Sequence, residues 1–241
     1  MHSFTLFFRM KHLFFDLDRT LWDFEKNSEK ALHILFHELG LDNDIPSFES
    51  FHALYKEKNA QLWQLYGLGK MSKQDLRSGR FRITLESFDI QDEHIIEKIS
   101  QGYIDISPRQ TELFPGAIET LQELKEKGYL MHIITNGFKE VQYIKLENSN
   151  LSDFFKIIVC SEEVGKNKPA PDIFHHAMGL AGAKAERSLM IGDDFDVDIV
   201  GANNAGMKGI LFDPNDHYSL GENIVKIRSL PELTDLIPML L

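Results

Sequence analysis

The sequence predicts an α/β fold, a doubly wound parallel sheet interrupted by an all-helical insertion, and three observations carry that prediction. Five short apolar runs are continuous rather than alternating, as strands covered on both faces are. Helical periodicity fills most of the intervals between them. One interval, from Leu17 to Leu130, is far too long for a single crossover helix.

The runs read as strands at His12–Leu17, Leu130–Ile134, Lys156–Val159, Ser188–Ile191 and Gly209–Phe212. Ile118, Leu121 and Leu124 follow a helical spacing that stops at Gly128, a C-cap residue. Val141, Ile144 and Lys145 mark a second core helix, and Ile173, Phe174 and Ala177 a third. Within the long interval, Ala31, Leu32, Leu35, Phe36 and Leu39 form a stripe closed by Gly40. Phe48, Phe51, Leu54 and Tyr55 begin a second stripe, continued by Leu62, Trp63, Leu65 and Tyr66. Ser72 with Asp75 resembles a capping box that opens a third helix, and Ile95, Ile96 and Ile99 lie on a fourth. The expected division is a Rossmann-like core over 10–26 and 113–241, a helical domain over 27–112, and an N-terminal extension over 1–9, with Met10 a second possible start.

Bulk composition narrows the function. The 241 residues are 43% hydrophobic, enough for a sizeable core, and 26 Lys and Arg against 37 Asp and Glu give a net charge of −11. A nucleic acid polymer is therefore not expected as partner, whereas a small phosphate ester in one locally positive pocket is. The single cysteine, Cys160, excludes an internal disulfide and reads as a buried thiol. No stretch approaches the roughly 20 apolar residues that span a bilayer, and the N-terminus lacks the features of a signal peptide. A cytoplasmic monomer or homodimer with no membrane partner is the expectation.

In an open parallel sheet, ligands bind beyond the carboxyl ends of the strands. Asp16-Leu17-Asp18-Arg19-Thr20 follows the first strand and Thr135-Asn136-Gly137 the second. Lys166-Asn167-Lys168-Pro169 comes after the third, and Gly192-Asp193-Asp194-Phe195-Asp196-Val197-Asp198 after the fourth. A phosphate monoester dianion repels an anionic nucleophile, so a cation must offset its charge before Asp16 can attack. Mg²⁺ suits a site of carboxylates, phosphate oxygen and water, and Asp16 and Asp193 can supply two carboxylates. Lys168 adds positive charge, Thr135 a hydroxyl, and Asn136 and Gly137 backbone amides for the phosphoryl oxygens. Asp18 would protonate the leaving oxygen and then deprotonate the attacking water.

Phe14-Phe15-Asp16-Leu17-Asp18-Arg19-Thr20-Leu21 resembles the first motif of the haloacid dehalogenase (HAD) superfamily. Thr135, Lys168-Pro169 and Gly192-Asp193 through Asp198 resemble the other three, in order. The resemblance implies Asp16 as nucleophile, Asp18 as acid/base with its carbonyl on Mg²⁺, Thr135 and Lys168 on phosphate, Asp193 on the metal, and Asp198 in support. It also implies that the helical insertion is the family's cap. Asp194 stands where many relatives carry a small hydroxyl residue, which adds negative charge beside the metal. The bland alternatives are a turn for Asp16 and Asp18, a helix cap for Asp193, a strand-end residue for Thr135, and solvated loop acids for Asp194 and Asp196. Trp22 and Phe24 serve either packing or a substrate cavity, and His175-His176 surface or packing.

Dehalogenation fits poorly, because metal-free dehalogenases of this fold typically lack the second aspartate. Phosphomutase activity, a broad sugar-phosphate phosphatase and a catalytically silent module are the rivals. Asn59-Ala60-Gln61-Leu62-Trp63, Ser78-Gly79-Arg80-Phe81, Ile134-Thr135-Asn136-Gly137-Phe138 and Ser161-Glu162-Glu163-Val164-Gly165 are similar to bacterial HAD pyrimidine 5′-nucleotidases. That similarity implies a nucleoside 5′-monophosphatase. Trp63, Tyr66, Lys70, Arg77 and Arg80 are candidates to meet a base or sugar.

Overall fold

The computed structural model describes residues 11–219, 221 and 224–241. The extension over 1–9 and Met10 lie outside them. The described chain separates into two compact units, one made of the chain up to Phe24 with Thr111–Leu241, the other of Glu25–Gln110. The break falls at Phe24 because the first helix of the second unit already begins there.

The first unit is a parallel sheet with helices. Its strands are β1 (His12–Phe15), β2 (Leu130–Thr135), β3 (Phe155–Cys160), β4 (Ser188–Gly192), β5 (Lys208–Phe212) and β6 (Lys226–Ile227). They lie in the order β3-β2-β1-β4-β5-β6, all parallel. The sequence reading gave five strands and missed β6. Only two residues pair there, Lys226 with Leu211 and Ile227 with Phe212, and so short an edge carries no periodic signal.

Alternate residues of each central strand face opposite layers, and both layers are apolar. Leu13 and Phe15 of β1 join Met131, Ile133, Leu189 and Ile191 in one cluster with Leu121, Leu124, Leu233 and Ile237. Phe14 joins Ile134, Val159 and Met190 in the other, with Ile173, Phe174 and Ala177. Two buried faces leave no place for polar alternation, which is why the strands read as continuous runs. Each fully buried Leu, Ile, Phe or Met side chain among them contributes roughly 1.5–3 kcal/mol.

The second unit contains four long helices: α1 (Phe24–Glu38), α2 (Phe48–Gly67), α3 (Lys73–Glu86) and α4 (Glu93–Ile106). They bury Leu32, Phe36, Phe51, Tyr55, Phe81, Ile99 and Tyr103 in one cluster. Ser47, Ser72 and Asp92 cap α2, α3 and α4 by accepting backbone amide hydrogen bonds. Ser72 completes its contact with Asp75 by donating its hydroxyl to the carboxylate at 2.6 Å. No helix among the described residues is long and apolar enough to cross a membrane.

The remaining long helices belong to the first unit: α5 (Ala117–Glu126), α6 (Lys139–Asn148), α7 (Pro171–Ala181) and α8 (Leu233–Leu240). The buried face of α6 differs from the expected stripe. Gln142, Lys145 and Leu146 are buried there, while Val141 and Ile144 are only half-buried. A helix that hides a glutamine and a lysine must give them partners, and these lie at the carboxyl end of the sheet.

Candidate active site

The order β2-β1-β4 sets three chemistry-bearing segments side by side. The chain runs outward from β1 to β3 on one side and from β4 to β6 on the other, so ligands are expected where the direction reverses, between β1 and β4. Asp16 directly follows β1, and its amide still donates to the Ile191 carbonyl of β4 at 2.8 Å. Thr135 ends β2, and Asp193 directly follows β4.

Lys168 lies at the centre, buried, and all three of its Nζ protons are used. They reach Asp16 Oδ1 at 2.6 Å, Asp198 Oδ1 at 2.6 Å and the Ile134 carbonyl at 2.8 Å. Lys166, two residues earlier, is exposed. Burial opposes charge on Lys168, but the Asp16 and Asp198 carboxylates outweigh it and hold its pKa above the ordinary lysine value. Asn136 fixes the lysine's backbone: its Oδ1 accepts from the Lys168 amide at 2.8 Å and its Nδ2 donates to the Lys168 carbonyl at 3.0 Å.

Burial raises the Asp16 pKa to about 7, with help from Asp198 and Asp18 and against Lys168. Burial likewise raises Asp193 to about 8, reinforced by Asp16 and Asp198, and burial raises Asp198. One carboxylate oxygen from each of these three residues lies within 4.8 Å of the others. Three acids against one lysine leave the cluster rich in negative charge. Hard oxygen donors packed this closely fit a divalent cation such as Mg²⁺.

Local backbone explains how Asp198 arrives. Phe195–Val200 forms a π-helical turn, a departure from α geometry that recurs at functional sites. Asp194 caps it, accepting from the Asp196 amide at 3.0 Å and the Val197 amide at 2.9 Å. The cap is thus Asp194 and not Asp193, for which capping was the bland alternative, and Asp193 accepts from Thr20 Oγ1 at 3.4 Å. A Cβ on Gly192 would lie 2.2 Å from Asp198 Oδ2, so only glycine admits that carboxylate. Asp196 is exposed.

Asp18 sits in a turn beyond β1, closed by Arg19 donating its amide to the Trp22 carbonyl at 2.9 Å. Arg19 has φ 65°, an unusual backbone for a non-glycine residue. Asp18 accepts from Lys145 Nζ at 2.5 Å through Oδ1 and from Gln142 Nε2 at 2.9 Å through Oδ2. Lys145 also stands 4.2 Å over the Trp22 ring, and Trp22 is fully buried, which assigns it to packing. Lys145 was expected on this helix, but neither it nor Gln142 was expected at the site. Their signal was a polar pair three residues apart on the buried stripe of α6.

Thr135 Oγ1 accepts the Gly137 amide at 3.0 Å and Gln142 Nε2 at 2.7 Å. The Gly137 amide, expected to face phosphoryl oxygens, is thereby engaged within the chain. Cys160 is buried, with its thiol pushed up to about 12 by burial, and His175 and His176 are exposed. In the helical unit, Trp63, Tyr66 and Arg77 are half-buried and Lys70 is exposed. Arg80 is buried, donating to Asn59 Oδ1 at 3.1 Å.

Known proteins share this arrangement of sequence and fold. The chain is 31% identical to the HAD-hydrolase YfnB of Bacillus subtilis, over 93% of this chain and 94% of that protein. It is 32% identical to the pyrimidine 5′-nucleotidase PynA of Streptococcus pneumoniae, over 93% and 94%. It is 30% identical to a ribulose-1,5-bisphosphate 5-phosphatase of Halopiger xanaduensis, over 92% and 97%. The crystal structure of YfnB bound to magnesium superposes with a TM-score of 0.84 at 30% identity, covering 95% of this chain and 99% of that one. The family model described as haloacid dehalogenase-like hydrolase matches residues 13–212, from the strand that ends at Asp16 to the last residue of β5. With four fifths of the sequence inside that match, the chain belongs to the haloacid dehalogenase-like hydrolases and is an enzyme of that class.

Proposed function

We propose that this hydrolase is a Mg²⁺-dependent phosphomonoesterase that works through an aspartyl-phosphate on Asp16. The observation that carries the reading is the Asp16 carboxylate, fixed by Lys168 and grouped with Asp193 and Asp198, with Asp18 two residues further on. Asp16 and Asp193, with the Asp18 carbonyl, would hold the ion and Asp198 would support it. The ion's contribution is to offset phosphate charge and orient the ester.

The chain's own groups account for the rest. A carboxylate oxygen of Asp16 attacks phosphorus as the bond to the ester oxygen breaks, and Asp18 protonates the departing alkoxide. Asp18 then takes a proton from water, whose oxygen attacks phosphorus and breaks its bond to Asp16. Inorganic phosphate leaves and both carboxylates are restored. Lys168 and the Thr135 hydroxyl stabilise the charge on the phosphoryl oxygens.

The substrate reading is a nucleoside 5′-monophosphate, with pyrimidines preferred. It is supported by the cap stretches Asn59–Trp63 and Ser78–Phe81 and by the similarity to PynA. The comparable similarity to a sugar-bisphosphate phosphatase supports a second reading, in which sugar phosphates are hydrolysed.

Phosphate release from nucleoside monophosphates, sugar phosphates and an aryl phosphate, with Mg²⁺ or with chelator, tests both. Chelation is expected to abolish turnover, and Asp16→Asn to lower kcat/KM by about 10⁴-fold or more. The highest kcat/KM on pyrimidine nucleotides fits the first reading and on sugar phosphates the second. No turnover of any ester defeats both.

A further inference from the structure

Gln142 of α6 lies at the end of β2, beside both Asp18 and Thr135. Gln142 Nε2 lies 2.9 Å from Asp18 Oδ2 and 2.7 Å from Thr135 Oγ1. With Asp18 in its carboxylate form only a donor can face Oδ2, and that fixes which end of the amide this is. The Thr135 oxygen must then accept from the amide, as it also accepts from the Gly137 amide at 3.0 Å. A hydroxyl oxygen has two lone pairs and one proton. Both lone pairs of Thr135 are occupied, and no acceptor among the described residues takes its proton. The hydroxyl can only donate outward.

The surroundings are built for this contact. Gln142 is fully buried, and its Oε1 has no hydrogen-bond partner among the described residues, so the amide is held through its nitrogen. A Cβ on Gly137 would stand 2.3 Å from Gln142 Nε2 and 2.4 Å from Cδ. The glycine therefore serves the approach of Gln142; its φ is not in the left-handed region.

We infer that Gln142 is a positioning residue that commits the Thr135 hydroxyl to donating a hydrogen bond to a phosphoryl oxygen. The inference rests on the reading of Thr135 as a phosphate contact. A carboxylate of the same shape at position 142 would accept the Thr135 proton and reverse the hydroxyl, so an isosteric change is expected to be worse than a crude one.

The test is equilibrium binding of inorganic phosphate to the full chain with Mg²⁺, comparing Gln142→Glu with Gln142→Met in the native and Thr135→Val backgrounds. With Thr135 present, the Glu variant is expected to bind phosphate about 10-fold more weakly than the Met variant, the worth of one charge-assisted hydrogen bond. In the Thr135→Val background the difference is expected to fall to about 2-fold or less, since added charge alone acts equally in both. Equal binding by Glu and Met variants overturns the inference. So does an undiminished difference without the hydroxyl.

Gly137→Ala gives a second route that adds no charge, displacing the amide and weakening phosphate binding. Native affinity in that variant also overturns the inference, and it decides the matter if the position 142 variants do not fold. Native protein that hydrolyses esters while these results fail leaves the phosphatase reading standing. Native protein that neither binds phosphate nor hydrolyses any ester defeats both.

Discussion

The carboxyl ends of β1 and β2 and their amino-terminal halves bury titratable groups in opposite ways. At the carboxyl ends, Asp16 and Asp198 flank Lys168, so charge is kept and paired. Toward the amino ends, His12 and His132 are also buried, with His12 Nδ1 and His132 Nε2 3.0 Å apart and the His132 ring stacked on Phe14. Burial lowers both histidine pKa values, aided by Arg187 for His12 and by His12 for His132, which falls to about 3. The histidines escape the cost of desolvation by staying neutral. The aspartates and Lys168 cannot, if the proposed chemistry is to work, because a nucleophile must be anionic. The same two strands thus carry an end where charge is discarded and an end where it is paired.

The largest expected effect comes from removing the central cation. Lys168→Met leaves Asp16 and Asp198 buried and uncompensated, and is expected to cost about 3–5 kcal/mol in denaturant unfolding at pH 8. At pH 5 the loss should shrink, because Asp16, raised to about 7, is then protonated in the folded state. A loss under about 1 kcal/mol at both pH values would show that the carboxylates are neutral like the histidines, and the contrast would collapse.

A third way of burying charge appears in the helical unit. Arg80 has Asn59 as its hydrogen-bond partner and lies over the Phe81 and Tyr103 rings at 5.1 and 4.7 Å. Asn59→Ala should cost about 1–3 kcal/mol in thermal or denaturant unfolding, and a neutral result would show that the rings alone suffice.

Acid sharpens the other end of the comparison. The folded pKa of His132 lies below its ordinary 6.5, so between about pH 6.5 and 3 the unfolded chain binds the additional proton. Stability is therefore fully present above that window and falls through it as pH drops, by about 1.4 kcal/mol per pH unit for this group. The double variant His12→Leu/His132→Phe should flatten this part of the profile, and an unchanged slope would assign acid sensitivity elsewhere. Smallest is the exposed cap Ser72, whose replacement by Ala should cost about 0.5–1 kcal/mol, read as a modest drop in Tm.

Much of the site was legible because its chemistry is local in sequence. Asp16, Thr135 and Asp193 stand at strand ends, and strands buried on both faces announce themselves as continuous apolar runs. Lys168 was picked out because Lys168-Pro169 resembles the family's third motif, and the structure buries Lys168 and exposes Lys166. Gln142 and Lys145 were not legible as site residues, since helical periodicity marks which face is buried without naming what that face meets. The capping role of Asp194 was not legible, because either acid of the pair can cap a helix and only the path of the π-helical turn selects one.

What the sequence alone determined is the α/β class, the order of the strands along the chain, the helical insertion and the acids at the strand ends, all consequences of hydrophobic pattern and turn chemistry. What only the tertiary structure decided is their spatial order and mutual contacts. That β1 lies between β2 and β4, that two strand residues at 226 and 227 complete the edge, and that one amide on α6 spans Asp18 and Thr135 are all long-range pairings. No local propensity encodes such contacts, because their energies arise only when segments remote in sequence exclude water from the same place.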